Sequence, residues 1–238
     1  MSDMVWFAII NSLMIFIMGA LMFIVLWKTH QNHEFHEDDK STVKTSLIDK
    51  LIHHSQMAHV FQNSEYEATF GGRLPYYFNA SQLILCSPYL INDIVSSISS
   101  YIREYLDKYP NAKICVMEKD SGPIGVLALA SSISQAIGSP ISVIRPNRDI
   151  FGMDVEGAGI KEGDDVILIQ DVITSGGQII EANRVIKGHG AKIISIIVLY
   201  DREEPKKICL EQEEIKLISI FSASLVRDKI PQVRTKAA

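Results

Sequence analysis

The residues whose types and spacing could do chemistry lie between Val166 and Gln178. There a run of four apolar residues leads into Gln170 and Asp171, and after two more apolar residues come Thr174, Ser175, Gly176, Gly177 and Gln178. The branched apolar run predicts a parallel strand covered on both faces, which puts Asp171 near the strand's carboxyl end, where open α/β sheets bind ligands. Two hydroxyls and two glycines then precede a predicted helix, Ile179 to Lys187. Backbone N–H groups exposed by the glycines, together with the positive end of that helix, make a cradle for one phosphate group, with an acid placed to hold the hydroxyls of an attached sugar. The loop is not a P-loop, because no lysine follows the glycines, and it lacks the Gly-x-Gly-x-x-Gly spacing of a dinucleotide fingerprint. A βα unit that merely turns on two glycines is the alternative.

The elements that must position this loop read as an α/β domain. Apolar residues at helical spacing, Leu47, Ile48, Leu51 and Ile52, predict a helix over Ser46 to Val60. Gly71 and Gly72 mark a turn before an aromatic strand at Tyr76, Tyr77 and Phe78. A second amphipathic helix spans Ser87 to Tyr109, followed by a strand at Lys113 to Met117, a helix at Val126 to Ile137 and a strand at Ile141 to Ile144. Beyond the phosphate loop come strands at Lys192 to Tyr200 and Lys216 to Ser219, and a polar tail from Arg227. The chain divides into residues 1–28, 29–45, 46–228 and 229–238: an apolar segment, a polar linker, the α/β domain and the tail.

Met4 to Trp27 carries no charged residue and, at about 1.5 Å per helical residue, is long enough to cross a membrane. The only two tryptophans, Trp6 and Trp27, stand at its ends, as interfacial aromatics do. A cleaved signal peptide fits less well, since no basic stretch precedes the run and no small-residue cleavage site follows. Asp3 precedes the segment whereas Lys28, Lys40 and Lys44 follow it, so the positive-inside rule predicts a single-pass protein with its C-terminal domain in the cytoplasm. Ala8, Ser12 and Gly19, with Asn11 beside them, form either a helix-pairing stripe or a scatter of tolerated small residues. His30, His33 and His36 lie in the polar linker without partners at ligand spacing, so no protein metal site is expected there. Cys86, Cys115 and Cys209 are isolated and odd in number, which suits a reducing compartment. The net charge of −5 and the lack of a basic stripe argue against nucleic acid as the partner.

The Gln170 to Gln178 loop resembles the 5-phosphoribosyl-1-diphosphate (PRPP) motif of type I phosphoribosyltransferases, and further residues resemble the orotate phosphoribosyltransferases among them. These are Arg73 with the aromatic run ending at Asn79, Arg145 after the Ile141 to Ile144 strand, and Asp201, Arg202, Glu203 and Glu204 after the Lys192 to Tyr200 strand. The resemblance spans about residues 46 to 228 and implies an α/β fold with a central parallel sheet flanked by helices and an N-terminal hood. It implies that Gln170 and Asp171 hold the ribose hydroxyls and that Thr174, Ser175, Gly176, Gly177 and Gln178 hold the 5′-phosphate. Lys119, Ser121, Gly122 and Arg145 would contact the diphosphate, with Mg²⁺ bridging it, and Arg73, Tyr77 and Phe78 would contact the base. Asp171 and Arg148 would be the catalytic residues, and the family implies a homodimer whose mobile loop completes a neighbouring site. The charges of the Asp201 to Glu204 run are expected to be structural or interfacial.

The chain departs from the family pattern in a consistent direction. Gln170 replaces an acid, Glu118 replaces a glycine, Pro146 replaces a lysine, and Asp149 and Phe151 stand near the places of a lysine and a histidine. Each change lowers positive charge or adds negative charge near a diphosphate, or removes charge that would stabilise a ribosyl cation. Two functions follow as expectations. One is a membrane-tethered enzyme that transfers phosphoribosyl from PRPP to a nitrogenous base. The other is a catalytically impaired sensor or regulatory effector that binds PRPP or a nucleotide and acts through its membrane helix or a partner.

Overall fold

The structure is a computed structural model that describes residues 46–53, 60–62, 66–67, 73–74, 77–118, 125–146, 153–204, 210 and 214–229. The helical residues 46–53 (α1) are followed by four two-residue strands: Phe61–Gln62 (β1), Tyr66–Glu67 (β2), Arg73–Leu74 (β3) and Tyr77–Phe78 (β4). Helices Ala80–Cys86 (α2) and Pro88–Lys108 (α3) lead to strand Lys113–Met117 (β5), helix Gly125–Ile137 (α4) and strands Ile141–Ile144 (β6) and Val155–Gly157 (β7). Strand Asp165–Ile173 (β8), helix Gly177–Gly188 (α5), strands Lys192–Asp201 (β9) and Lys216–Ser222 (β10) and helix Ala223–Lys229 (α6) complete the order.

One six-stranded sheet, in the order β10-β9-β8-β5-β6-β7, organises the rest. Its centre forms because β5, β8 and β9 are runs of branched apolar residues, which suit strands packed on both faces. On one face, Ile167, Ile169, Ile197 and Leu199 pack with helix residues such as Leu51, Leu83, Ile94, Ile98 and Leu129. On the other, Val166, Leu168, Ile196 and Val198 meet Ile179, Ala182, Val185 and Ile186 of α5. Alternating residues of one strand thus serve two cores, as a period of two requires.

The connections set the position of the site. From β5 the chain passes through α4 to β6 on one side, and from β8 it passes through α5 to β9 on the other. The direction of winding therefore reverses between β5 and β8, which lie side by side in parallel with Val116 opposite Ile169. At such a switch point the loops leaving the strands' carboxyl ends diverge and leave a crevice.

Several expectations are corrected here. The sheet is mixed, because β7 runs antiparallel to β6, with Val143 opposite Glu156. This short edge strand carries too few residues to show a period-two pattern. It closes on Gly157 at φ +84°, where an added Cβ would come within 2.4 Å of the Ile141 carbonyl oxygen. The segment Ala80–Cys86, to which the sequence pattern assigns no element, is helical. Asn79 starts it: its side-chain oxygen accepts a hydrogen bond from the Gln82 N–H at 2.9 Å. The chain beyond Ser222 enters a helix through Lys229 where a polar tail was expected from Arg227. Glu203 supplies the missing signal, since its carboxylate accepts from the Ser224 N–H at 2.6 Å and from its hydroxyl at 2.8 Å.

The apolar segment Met4 to Trp27, the polar linker and residues 230–238 lie outside the described residues. Among those described, no single helix is long and apolar enough to cross a membrane.

Candidate functional site

The carboxyl end of β8 carries polar side chains into a buried place. Gln170 and Asp171 are 2% and 8% exposed, and Ser175, just beyond the strand, is 4% exposed. The Gln170 amide nitrogen and the Ser175 hydroxyl have no hydrogen-bond partner among the described residues. Leaving a buried polar group unpaired costs about 1–3 kcal/mol, so two such groups beside one loop point to a ligand that pairs with them. Asp171 accepts a hydrogen bond from the Val172 N–H at 2.7 Å. Burial raises its pKa above the ordinary 3.8, and the backbone N–H groups of Val172 and Asp171 offset part of that rise.

The loop then turns on Gly176, which sits at φ +79° and ψ 15° in the left-handed region that favours glycine, and α5 begins at Gly177. No side chain caps this helix. The first intrahelical bond comes from the Ile180 N–H to the Gly176 carbonyl at 3.1 Å, so the amides of the first turn have no intrahelical acceptor. With the helix dipole behind them they have the geometry to accept an anion. Thr174 is half-buried and Gln178 exposed at its rim. The loop is braced from β9 by the Arg202 N–H, which donates to the Ile173 carbonyl at 3.0 Å. Arg202 pairs with Glu204 at 3.1 Å, and the Glu203 N–H donates to Asp201 at 2.8 Å, so the Asp201 to Glu204 run supports the fold around the site.

Across the crevice the charges differ. Continuing the β5–β8 register by two residues sets Glu118 level with Asp171, and the Glu118 N–H donates to the Ile144 carbonyl of β6 at 3.0 Å. Glu118 forms an ion pair with Arg145. Arg145 also reaches Glu156 of β7, its Nε donating to one carboxylate oxygen at 2.7 Å and an Nη to the other at 3.4 Å. Hydrogen bonding to Glu156, with Glu118 adding to it, raises the arginine's already high pKa. The three residues together carry one net negative charge. Arg145, which the resemblance assigns to a diphosphate, is thus held by two carboxylates in this structure. Glu156 was not legible as part of the site, because only the β6–β7 pairing brings it beside Arg145. The same pairing places Asp154 3.0 Å from His189, just past the end of α5.

Phe78 is 4% exposed and stacks on the fully buried Tyr200 at 4.3 Å, with Phe61 at 5.2 Å, so its ring is packed into the core. The hood consists of two nested antiparallel pairs, β1 with β4 and β2 with β3. Arg73 and Tyr77 lie on its strands, and Lys119, Ser121, Gly122 and Arg148 lie outside the described residues. Among the described residues no group of three or more His, Cys, Asp or Glu side chains could hold a metal ion. Burial pushes the Cys115 thiol up to about 12, which excludes it as a nucleophile.

The comparisons with known proteins agree with this arrangement. The family model of the phosphoribosyl transferase domain matches residues 125–216. Orotate phosphoribosyltransferase of Pyrococcus abyssi is 31% identical over 159 residues, covering 66% of this chain and 82% of the relative. The crystal structure of orotate phosphoribosyltransferase from Aeropyrum pernix superimposes with a TM-score of 0.54 at 19% identity, over 75% of this chain and 97% of that one. The Mycobacterium tuberculosis H37Rv enzyme, solved in complex with PRPP, gives a TM-score of 0.51 at 16% identity, over 74% and 97% of the two chains. A strand, phosphate loop and helix at a sheet's switch point, within a sequence that aligns along most of such a relative, place this chain in the type I phosphoribosyltransferase family, with orotate phosphoribosyltransferases among its relatives.

Proposed function

We propose that this chain binds PRPP in the crevice between β5 and β8 and transfers its phosphoribosyl group to a nitrogenous base. The observation that carries the reading is the loop after β8, where the uncapped start of α5 adjoins two buried polar groups without partners among the described residues. In this reaction a base nitrogen forms a bond to the anomeric carbon as that carbon's bond to the diphosphate oxygen breaks, and the nitrogen's proton passes to solvent or to the leaving group. The 5′-phosphate rests on Thr174 to Gln178 and fixes the sugar. Asp171 orients the ribose hydroxyls and its charge stabilises the positive character that develops on the ring. Lys119, Ser121, Gly122 and Arg148 are assigned to the departing diphosphate, and Arg73 and Tyr77 to the base. A Mg²⁺ would be held mainly by the ligand's own oxygens, with Asp171 as a candidate protein carboxylate, and would neutralise diphosphate charge.

A second reading, a PRPP or nucleotide sensor that has lost turnover, is favoured by one observation: Arg145 is held by Glu118 and Glu156. In either reading the segment Met4 to Trp27 tethers the domain to a membrane with residues 46–228 in the cytoplasm, and two copies associate through the domain and the Ala8, Ser12 and Gly19 stripe.

Calorimetry of the full chain in detergent with PRPP and Mg²⁺, followed by a diphosphate-release assay with orotate, uracil and purine bases, separates the two readings. Release supports the transferase, and binding without release supports the sensor. Replacing Gly176 with Val crowds the phosphate loop and should abolish binding in a protein whose circular dichroism is unchanged; retained affinity would remove the cradle from the account.

Asp171 gives a pH-dependent prediction. An acid whose folded pKa is raised opposes folding once it ionises. That opposition is absent below the ordinary value of 3.8, grows as pH rises toward the folded value and is complete above it. Asp171→Asn should therefore raise the melting temperature near neutral pH, lose that gain as pH falls toward 3.8, and weaken PRPP binding. A gain independent of pH would contradict the assignment.

Topology is tested by protease added to intact cells, which should leave the C-terminal domain whole; its digestion would reverse the orientation. Cross-linking of the same cells that yields monomer alone would remove the self-association.

A further inference from the structure

We propose that Glu203 is a positioning residue for the phosphate loop. By holding the start of α6 it fixes the turn after β9, and that turn holds the carbonyl from which the Thr174 to Gln178 loop departs. The inference rests on the reading that this loop receives the phosphate of a sugar phosphate, which both functions above share.

Glu203 stands at φ +56°, in the left-handed region, where a side chain carries a steric cost that glycine does not. A turn chosen for its shape alone would place glycine there. What glutamate adds is its carboxylate, which accepts from the Ser224 N–H at 2.6 Å and from the Ser224 hydroxyl at 2.8 Å, in the first turn of α6. No acid lies within that first turn, so Glu203 supplies from a distant part of the chain the negative charge that a helix N-terminus favours. The backbone of the turn is thereby tied to a second element.

The same turn touches the phosphate loop through its main chain. The register of β8 with β9 ends at Ile173 opposite Asp201, and the Arg202 N–H then donates to the Ile173 carbonyl at 3.0 Å. Ile173 is the last residue of β8, and Thr174 follows it. Arg202 is held from both sides, because the Glu203 N–H donates to Asp201 at 2.8 Å and the Glu203 carboxylate is anchored on α6. Without that carboxylate the turn keeps its bond to Asp201 and loses its tie to α6. The Arg202 amide is then held less firmly against Ile173. Backbone amides just beyond Ile173 are the groups that meet the phosphate, so looseness at this carbonyl passes directly into the cradle.

Titration calorimetry of the full chain in detergent micelles with ribose 5-phosphate tests the assignment, together with thermal melting and hydrogen–deuterium exchange of the unliganded protein. The wild type is compared with Glu203→Ala, Glu203→Gly, Glu203→Gln and Gly176→Val. Glu203→Ala should weaken ribose 5-phosphate binding by roughly tenfold, the scale of losing one helix cap, and speed exchange at residues 174–179 and at Arg202. Glu203→Gln keeps an accepting oxygen and should restore affinity to within about threefold of the wild type. Glu203→Gly separates positioning from stability: it relieves the positive φ, so it should melt above Glu203→Ala and yet bind as weakly. It also replaces the alanine variant should that one fail to fold. Wild-type affinity in Glu203→Ala or Glu203→Gly would overturn the positioning role while leaving the cradle intact, as would faster exchange confined to α6. If the wild type does not bind ribose 5-phosphate, or if binding survives Gly176→Val, the cradle itself is misassigned and the role of Glu203 falls with it.

Discussion

Strand β8 is hydrogen-bonded on both edges, to β5 and to β9, and packed on both faces, and Gln170, Asp171 and the loop leading into α5 hang from its carboxyl end. Because its interior residues are committed to two cores, the strand cannot slide or rotate without moving apolar surface into water, at about 25 cal/mol per Å². That fixes Gln170 and Asp171 in depth and direction. The reversal of winding beside it then opens the crevice, and Gly176, in a conformation other residues adopt with strain, turns the chain so that α5 starts where a phosphate can meet its N-terminus. Packing thus sets the position of the polar groups, and the polar groups set the chemistry.

The two walls of the crevice have opposite electrostatic character. On the β8 side an uncapped helix start favours an anion, whereas on the β5 side an arginine is enclosed by carboxylates. A catalyst of phosphoryl-sugar transfer works by placing positive groups where negative charge accumulates on the leaving group. Here the described cation on that wall is already occupied, and any enzymatic function must draw on cations from the loops that follow β5 and β6. The burial of Asp171 shows the opposite investment: a carboxyl kept in a place that opposes its ionisation, which the fold alone gives no reason to retain.

Much of this was legible in the sequence. The phosphate loop could be read because its hydroxyls, glycines and acid all fall within one local segment and act through backbone geometry. The strands β5, β6, β8 and β9 could be read because buried parallel strands are continuous apolar runs. What could not be read depended on partners distant in the chain. The Arg145–Glu156 contact exists only through an antiparallel edge strand of three residues, Glu203 caps a helix that starts twenty residues later, and Phe78 is claimed by Tyr200, which lies across the domain in sequence. The departure of Glu118 from glycine was visible, but its consequence for Arg145 appears only in the register of β5 with β6.

The central claim is that the turn between β8 and α5 receives the phosphate of a sugar phosphate. Hydrogen–deuterium exchange of the full chain in micelles, with and without ribose 5-phosphate at saturation, tests it most directly, because backbone amides are the proposed ligands. The account predicts slowed exchange at the amides of residues 174–179, with the β5 and β6 ends unchanged. No change at that turn, or protection centred on another segment, would contradict it.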